Sequence, residues 1–343
     1  MSPPVTEGSI LRQAPPRLAE IQAPVKDRLD RVMEELRRII VSDFEMIEEV
    51  NDYLLLMRGK LFRPTLLLLA NEIGGEPSDD AVTLGAVVEL VHLATLVHDD
   101  AVDHSVLRRG LPTVNSLWTH QVAIIMGDYL YSRSVTELAR VGEMEHIEVL
   151  ATAANEMSVG EMRQLTSYDA LDFSEGDYDR LIAAKTASLM AAACEMGAVS
   201  GIGRYRGPLR RFGHNLGMAF QIADDILDYT GSEEVTGKPT GHDLRERKVT
   251  LPLVAAMERA TPEEVREIRR FFTLVDPSDE AIEGIVAITR RRGGIDYARE
   301  RAAAYAREAE DALDSIDGID GTDGSEALEA LRASVAYAVE RSR

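Results

Sequence analysis

Apolar residues recur every three to four positions from Val25 onward, and this spacing is typical of amphipathic helices. The clearest apolar stripe consists of Leu29, Val32, Met33, Leu36, Ile39 and Ile40. The same pattern predicts helices over residues 44–57, 78–103, 113–138, 144–166, around 185, over 217–231, and from 253 onward. No stretch alternates apolar and polar residues as a strand would. The sequence therefore predicts an all-α protein.

Two segments interrupt this pattern near the start and in the middle of the chain. Residues 1–24 contain five prolines and little periodicity, so they are predicted to form a loose N-terminal arm. Residues 169–179 are rich in acids and are predicted to be a loop. Residues 25–343 are then predicted to be a single all-α domain.

Three aspartates end the apolar helix that begins near residue 78. Asp99 and Asp103 are four residues apart, so they share one helix face. Like charges at this spacing repel and cost stability unless a positive charge lies between them. Together with Asp100, they favour a bound hard cation that takes oxygen ligands, such as magnesium.

The same D-D-x-x-D pattern returns at Asp224, Asp225 and Asp228, again within an apolar helix. A surface helix can carry three acids by chance, which is the alternative interpretation of either copy alone. Two copies embedded in apolar runs argue against a solvated face. If the two helices face each other, the motifs would form a cation-filled clamp for a strongly anionic ligand such as a diphosphate.

Basic residues are concentrated in two segments. Lys60 and Arg63 lie one turn apart beside a glycine, and in so acidic a chain they indicate an anion site rather than a solvated turn. Residues 236–252 carry Lys238 and Lys248 among glycines and a proline. This composition predicts a flexible loop that could close over a substrate and exclude water.

Composition narrows the class of protein. The formal net charge of −21 over 343 residues argues against a nucleic-acid partner. Cys194 is the only cysteine, so an intramolecular disulfide is impossible, and a reducing compartment is expected. We find no signal-peptide pattern, and apolar runs such as Leu66–Ala70 are too short to span a bilayer. A soluble, cytoplasmic protein without a transmembrane segment is expected.

Taken together, the motifs resemble those of the trans-type (all-E) isoprenyl diphosphate synthases over about residues 30–330. The matching segments, in order, are G-K-x-x-R-P at Gly59–Pro64, H-D-D-x-x-D at His98–Asp103, R-R-G at Arg108–Gly110, K-T at Lys185–Thr186, Q-x-x-D-D-x-x-D at Gln221–Asp228, Lys238, and K-x-T-L-P at Lys248–Pro252. One departure is Arg58, where many relatives have a second glycine.

The resemblance implies a bundle of long antiparallel helices around a central cavity, usually in a homodimer. It implies three magnesium ions that grip the diphosphate of an allylic substrate. The implied metal ligands are Asp99, Asp103 and Asp224, supported by Asp100, Asp225 and Asp228. Arg108, Lys185 and Lys238 would contact the same diphosphate, with Lys248 nearby. Lys60, Arg63, His92 and Arg109 would hold isopentenyl diphosphate.

The implied reaction is ionisation of the allylic diphosphate, attack by the double bond of isopentenyl diphosphate, and loss of a proton. Metal ions and lysines would stabilise the leaving anion by electrostatic catalysis. Thr186 and Gln221 would present oxygen dipoles to the carbocation. The cavity must be dry and apolar, because water would quench that cation.

Product length should depend on the helix that precedes Asp99. Ala94 and Thr95 lie about one turn deeper, and Val91 and Leu90 a further turn of about 5.4 Å. Relatives that stop at fifteen carbons place bulky aromatics in that first turn. The small residues here predict an open tunnel and a long-chain all-trans product of about C30–C50, passed on to membrane enzymes. A C20 geranylgeranyl product is the alternative, since the sequence does not place the tunnel floor.

Three other classes of protein compete with this interpretation. A terpene cyclase would not need the second diphosphate site formed by the G-K-x-x-R-P segment. A non-catalytic subunit of a heteromeric synthase should have lost some acids or cations. A di-iron bundle would need paired Glu-x-x-His motifs, whereas Glu89-x-x-His92 lacks a partner.

Overall fold

The computed structural model describes residues 16–57, 59–73, 77–166, 170–201, 203–231, 241–316 and 322–340. Its first half contains helices α1 (Leu18–Gln22), α2 (Lys26–Ile40), α3 (Glu45–Leu56), α4 (Phe62–Glu72), α5 (Asp80–Val102), α6 (Val114–Leu117), α7 (His120–Val141) and α8 (Met144–Thr166). Its second half contains α9 (Glu175–Ile182), α10 (Ser188–Ser200), α11 (Arg206–Thr230), α12 (His242–Arg245), α13 (Leu251–Met257), α14 (Pro262–Phe271), α15 (Asp279–Arg291), α16 (Gly294–Asp314) and α17 (Thr322–Glu340). The prediction of an all-α fold is confirmed.

Most predicted helices are present with bounds close to those expected. Helix α2 buries its whole apolar stripe, and α8 has the predicted limits. Helix α14 begins as predicted, because the Thr261 hydroxyl accepts from the amide of Glu264 and Pro262 occupies the first turn. Local periodicity and capping were therefore sufficient to locate these elements.

The centre of the bundle is formed by α4, α5, α10 and α11, which pack against one another and are covered by α7, α8, α16 and α17. Close packing depends on small residues. Gly197 on α10 lies where a Cβ atom would come within 2.1 Å of the Leu67 carbonyl oxygen on α4. Only glycine allows these two backbones to approach so closely.

Two predicted loops are wrong in part. Residues 18–24, assigned to the loose arm, form α1 and the start of a 3₁₀ turn that ends at Val25, and Ile21 is fully buried. Contact with α17 supplies the tertiary burial that local propensity does not reveal. The second half of the predicted acidic loop, from Glu175, begins α9, because Ser174 and Asp177 form a capping box.

Arg108 and Arg109 lie on a small hairpin. The described residues contain one two-residue antiparallel ladder, with Leu107 opposite Pro112 and Arg108 opposite Leu111. Arg109 (φ 54°) and Gly110 (φ 77°) form its turn. Two positive φ values match the tight turns that connect twisted hairpin strands. The hairpin therefore fixes the backbone conformation of Arg108 and Arg109, which follow the first acidic motif in sequence.

Two helical stretches of the described chain, Asp80–Val102 and Glu175–Ser200, are long and apolar enough to cross a bilayer by length and composition alone. In each, 72% of the most apolar window is buried inside the protein. This burial is what a core helix of a folded domain shows. Cys194 lies in the second stretch and is fully buried, as predicted for a core residue.

Candidate active site

A cavity of about 840 Å³ joins the two acidic motifs to the predicted basic residues. The predicted residues on its wall are Lys60, Arg63, His92, Thr95, Asp99, Arg108, Arg109, Lys185, Thr186, Gln221, Asp224, Asp225 and Lys248. Lys238 lies outside the described residues. The fold thus brings together residues that are up to 188 positions apart in sequence, Lys60 and Lys248.

The two adjacent aspartates of the first motif, Asp99 and Asp100, lie in different environments. The Asp99 carboxylate lies 4.0 Å from the Lys185 ammonium, and burial raises the pKa of Asp99 to about 6. Asp100 is buried, and both of its oxygens accept from Nε of Arg108, at 2.9 and 2.8 Å. A carboxylate paired in this way positions its arginine. Asp100 is therefore placed to support the site rather than to face the cavity.

Lys185 is held by α8 as well as by Asp99. Its ammonium lies 2.5 Å from Glu161 and donates to Gln164 at 3.0 Å. Lys185 lies in a π-helical turn over Ala183–Ala187, a widening that is frequent at functional sites. Neither Glu161 nor Gln164 was predicted as a site residue, although both belong to the G-E-M-R-Q-L segment of the sequence.

The second motif is organised by a buried hydrogen-bond chain. Asp225 accepts from the Tyr178 hydroxyl at 2.6 Å and from the Gln221 amide at 2.8 Å, and the Thr186 hydroxyl donates to Gln221 at 2.7 Å. Burial, and then the charge of nearby Asp243, raise the pKa of Asp225 well above its ordinary value. Sequence reasoning missed Tyr178, which lies in the segment that was predicted as a loop.

Asp103 and Asp228, the last aspartates of the two motifs, contact the segment of residues 241–250 that follows the second motif. Asp228 accepts from the backbone amides of His242 and Asp243, at 3.0 and 3.1 Å. The Lys248 ammonium lies 3.3 Å from Asp103. Burial lowers the pKa of Lys248, but a hydrogen bond to Glu246 and the charges of nearby acids raise it by more, so the pKa lies above its ordinary value. Lys248 is thus a charged link between this segment and the first motif.

A second cluster of cations lies at the other end of the cavity. Arg109 donates to the Met57 carbonyl at 2.7 Å, and Lys60 lies 3.4 Å from the Tyr337 hydroxyl. Nε of Arg63 is buried and has no hydrogen-bond partner within the described part of the chain. Burial, and then Arg63 and Arg109, lower the pKa of His92 well below its ordinary value. The unpartnered Nε of Arg63 is a donor that suits an incoming anion.

The acidic residues suit a metal that binds together with a ligand. Within the described ranges, no three acidic, histidine or cysteine side chains come close enough to hold a metal ion. Asp99 and Asp224 nevertheless line the same cavity and offer the oxygen donors that hard cations prefer. Magnesium commonly uses one or two carboxylates, waters and substrate phosphates rather than an all-protein cage. This donor set fits that mode of binding.

A second cavity of about 550 Å³ continues below Asp99. It shares Thr95, Asp99 and Lys185 with the first cavity. Val91 and Ala94 lie on its wall, as predicted for residues that line a tunnel, whereas Leu90 is fully buried in the hydrophobic core. The opposite wall comes from α7 and α8 and includes Tyr131, Ala151, Ala154, Met157, Met162 and Leu165.

Comparison with known proteins agrees with this geometry. The family model described as polyprenyl synthetase matches residues 44–288. An all-trans-nonaprenyl-diphosphate synthase (geranyl-diphosphate specific) from Rhodobacter capsulatus is 38% identical over 285 residues, which cover 82% of this chain and 87% of that protein.

Solved structures give the same result. A decaprenyl diphosphate synthase from Rhodobacter capsulatus superposes with a TM-score of 0.88 and 35% identity, covering 95% of this chain and 100% of that one. A geranylgeranyl pyrophosphate synthase from Corynebacterium glutamicum, complexed with calcium and isoprenyl diphosphate, has a TM-score of 0.79 and 31% identity, covering 94% and 97%. The chain therefore belongs to the polyprenyl synthetase family and is a trans-prenyltransferase.

Proposed function

We propose that this protein condenses isopentenyl diphosphate with an allylic diphosphate, repeatedly, to give a long-chain all-trans polyprenyl diphosphate of about C30–C50. The observation that carries this proposal is the second cavity, which opens directly below Asp99 and is walled by Ala94 and Thr95. These small side chains leave the first turn of the tunnel open. Its volume of about 550 Å³ lies within the range of small-molecule sites.

The allylic diphosphate would bind between the two acidic motifs. Asp99, Asp103 and Asp224 would hold magnesium, for which we propose three ions when the diphosphate is bound. Bound magnesium would neutralise charge on the leaving diphosphate. Lys185 and Lys248 already stand at this end and add positive charge to it. Breaking the C–O bond would leave an allylic cation in the cavity that Thr186 and Gln221 line, where their oxygens would stabilise it.

Isopentenyl diphosphate would bind at the other end, where Lys60, Arg63 and Arg109 line the cavity with His92. Its double bond would attack the allylic cation, a new C–C bond would form, and a proton would leave to the departing diphosphate. No nucleophilic side chain takes part in this scheme. The presence of this second basic end speaks against a terpene cyclase.

We also propose a cytoplasmic homodimer whose product passes to membrane enzymes. Helix α7 exposes large apolar side chains, among them Ile124, Ile125 and Val135. Exposed apolar patches of this kind mark interaction surfaces. Replacing Ile125 by Glu should convert the dimer to a monomer in light scattering coupled to size exclusion, and a monomeric wild type would refute the assembly.

Product analysis tests the chemistry. Purified protein, magnesium, radiolabelled isopentenyl diphosphate and farnesyl diphosphate should give a ladder that ends between C30 and C50. A stop at C20 would favour the geranylgeranyl alternative, for which Tyr131 and Met157 are the large side chains available as a floor. Absence of elongation by folded protein would refute the proposal and favour a cyclase or a non-catalytic subunit.

A further inference from the structure

Glu89 is a buried carboxylate in the basic end of the cavity, to which the sequence assigns no part in substrate binding. Its side chain is 4% exposed and lines the cavity. It lies on α5 three residues before His92, so both residues are on one helix face. A negative charge here opposes an incoming diphosphate, and burying it is costly unless it is compensated. Its position therefore requires an explanation.

The cations around Glu89 provide that explanation. A Cβ atom built on Gly59 would stand 3.2 and 3.3 Å from the two terminal nitrogens of Arg109 and 3.5 Å from Oε1 of Glu89. The guanidinium of Arg109 and the carboxylate of Glu89 therefore both lie close to the open Cβ position of Gly59. Both side chains have a defined place against this loop.

Arg63 completes the group. Burial lowers the pKa of Arg63, the negative charge of Glu89 raises it, and the positive charge of Arg109 lowers it. Two guanidinium groups that line one cavity repel each other, and a poorly solvated charge without compensation is destabilising. Glu89 is the carboxylate that offsets both of them, since its charge also favours the charged form of Arg109.

We propose that Glu89 is a positioning residue of the isopentenyl diphosphate site, whose negative charge offsets the guanidinium groups of Arg63 and Arg109 and keeps both of them at the cavity wall before the diphosphate arrives. The proposal rests on the function proposed above. Without that charge, the two arginines would separate and the bound anion would meet fewer donors. The allylic diphosphate binds at the other end of the cavity, so its binding should change little.

The test compares Glu89→Gln, which keeps the shape and removes the charge, with Glu89→Asp, which keeps the charge. The matched control is Glu137→Gln, because Glu137 is also buried between two arginines, Arg38 and Arg140, but lies away from the cavity. Isopentenyl diphosphate is titrated calorimetrically into each protein in EDTA, which keeps metal from the acidic motifs. Steady-state KM values for both substrates are then measured with magnesium.

We expect Glu89→Gln to raise both the Kd and the KM for isopentenyl diphosphate about tenfold, with Glu89→Asp in between and KM for farnesyl diphosphate unchanged. An unchanged or lower Kd in Glu89→Gln would overturn the proposal, as would an equal loss in Glu137→Gln. An equal rise in both KM values would reduce Glu89 to a structural residue and also overturn it. Calorimetry measures binding without turnover, so it tests the role of Glu89 separately from elongation. A wild type that binds isopentenyl diphosphate but does not elongate would refute the proposed function alone.

Discussion

Replacing Ala94 by Phe tests the assignment of the second cavity as the elongation tunnel. Ala94 is buried, and it lies on the cavity wall on the same helix as Asp99. A phenyl ring at this position would point into the cavity, where it would obstruct the path of a growing chain without displacing core atoms.

The expected shortening follows from helix geometry. Ala94 precedes Asp99 by five residues, which corresponds to about 7.5 Å along the helix, and Val91 lies about 12 Å away. One helical turn of about 5.4 Å is of the order of one extended prenyl unit. A block at residue 94 therefore leaves depth for about one to two prenyl units, so the product should shorten by several units, and elongation from farnesyl diphosphate should end at or before C20.

The assay is chromatography of dephosphorylated products made from labelled isopentenyl diphosphate and farnesyl diphosphate. Val275→Phe is a suitable control, because Val275 is 94% exposed and remote from the cavities, and it should leave the product length unchanged. An unchanged product spectrum in folded Ala94→Phe protein would refute the tunnel assignment. Thermal unfolding should show little change, since overpacking costs arise only where the added atoms have no space.

Three further variants test packing contacts and charge pairs within the fold. Tyr178→Phe removes the hydroxyl that donates to buried Asp225 and should cost about 1–3 kcal/mol in urea unfolding, whereas unchanged stability would contradict this role. Arg292 and Arg291 hold the pKa of Glu264 at about 2, below its ordinary value of 4.5, so this stabilisation is present above pH 4.5 and lost as pH falls through about 2. The melting temperature of Glu264→Gln should therefore lie below that of wild type at pH 7, and the difference should shrink from pH 4.5 downward; a constant difference would contradict the assignment. Gly197→Ala forces a methyl group against a carbonyl oxygen and should destabilise by about 1–3 kcal/mol or more, whereas Gly176→Ala on an open helix surface should be neutral or stabilising; similar effects of the two would contradict the packing argument.

The sequence was sufficient for features that depend on local pattern. Helix α8 was predicted with its observed limits, and the two acidic motifs were placed at the ends of apolar helices, because a 3.6-residue period and charged residues are visible in a short window. The start of α9 was also visible in principle, since Ser174 and Asp177 have the spacing of a capping box.

Features that depend on tertiary contact were not predictable. Glu161 and Tyr178 take their roles from partners on other helices, Lys185 and Asp225, that are 24 and 47 residues away in sequence. Ile21 is buried only because α1 meets α17 at the far end of the chain. No periodicity within one segment carries information about such pairs.

The charges of the site bear on how so acidic a protein would hold the two diphosphates of the proposed reaction. Three of the cations predicted to bind the allylic diphosphate or lie near it already stand beside a carboxylate. These pairs are Arg108 with Asp100, Lys185 with Glu161, and Lys248 with Asp103. The pairs order the long side chains before substrate arrives, so less rotamer entropy is lost on binding. They also offset the positive charge, so a diphosphate must compete with the protein's own carboxylates. In the proposed reaction, bound metal ions would attract the carboxylates and leave the cations available to phosphate oxygens. Arg63 and Arg109 have no acidic motif beside them, and Glu89 is the carboxylate that remains to organise that end of the cavity.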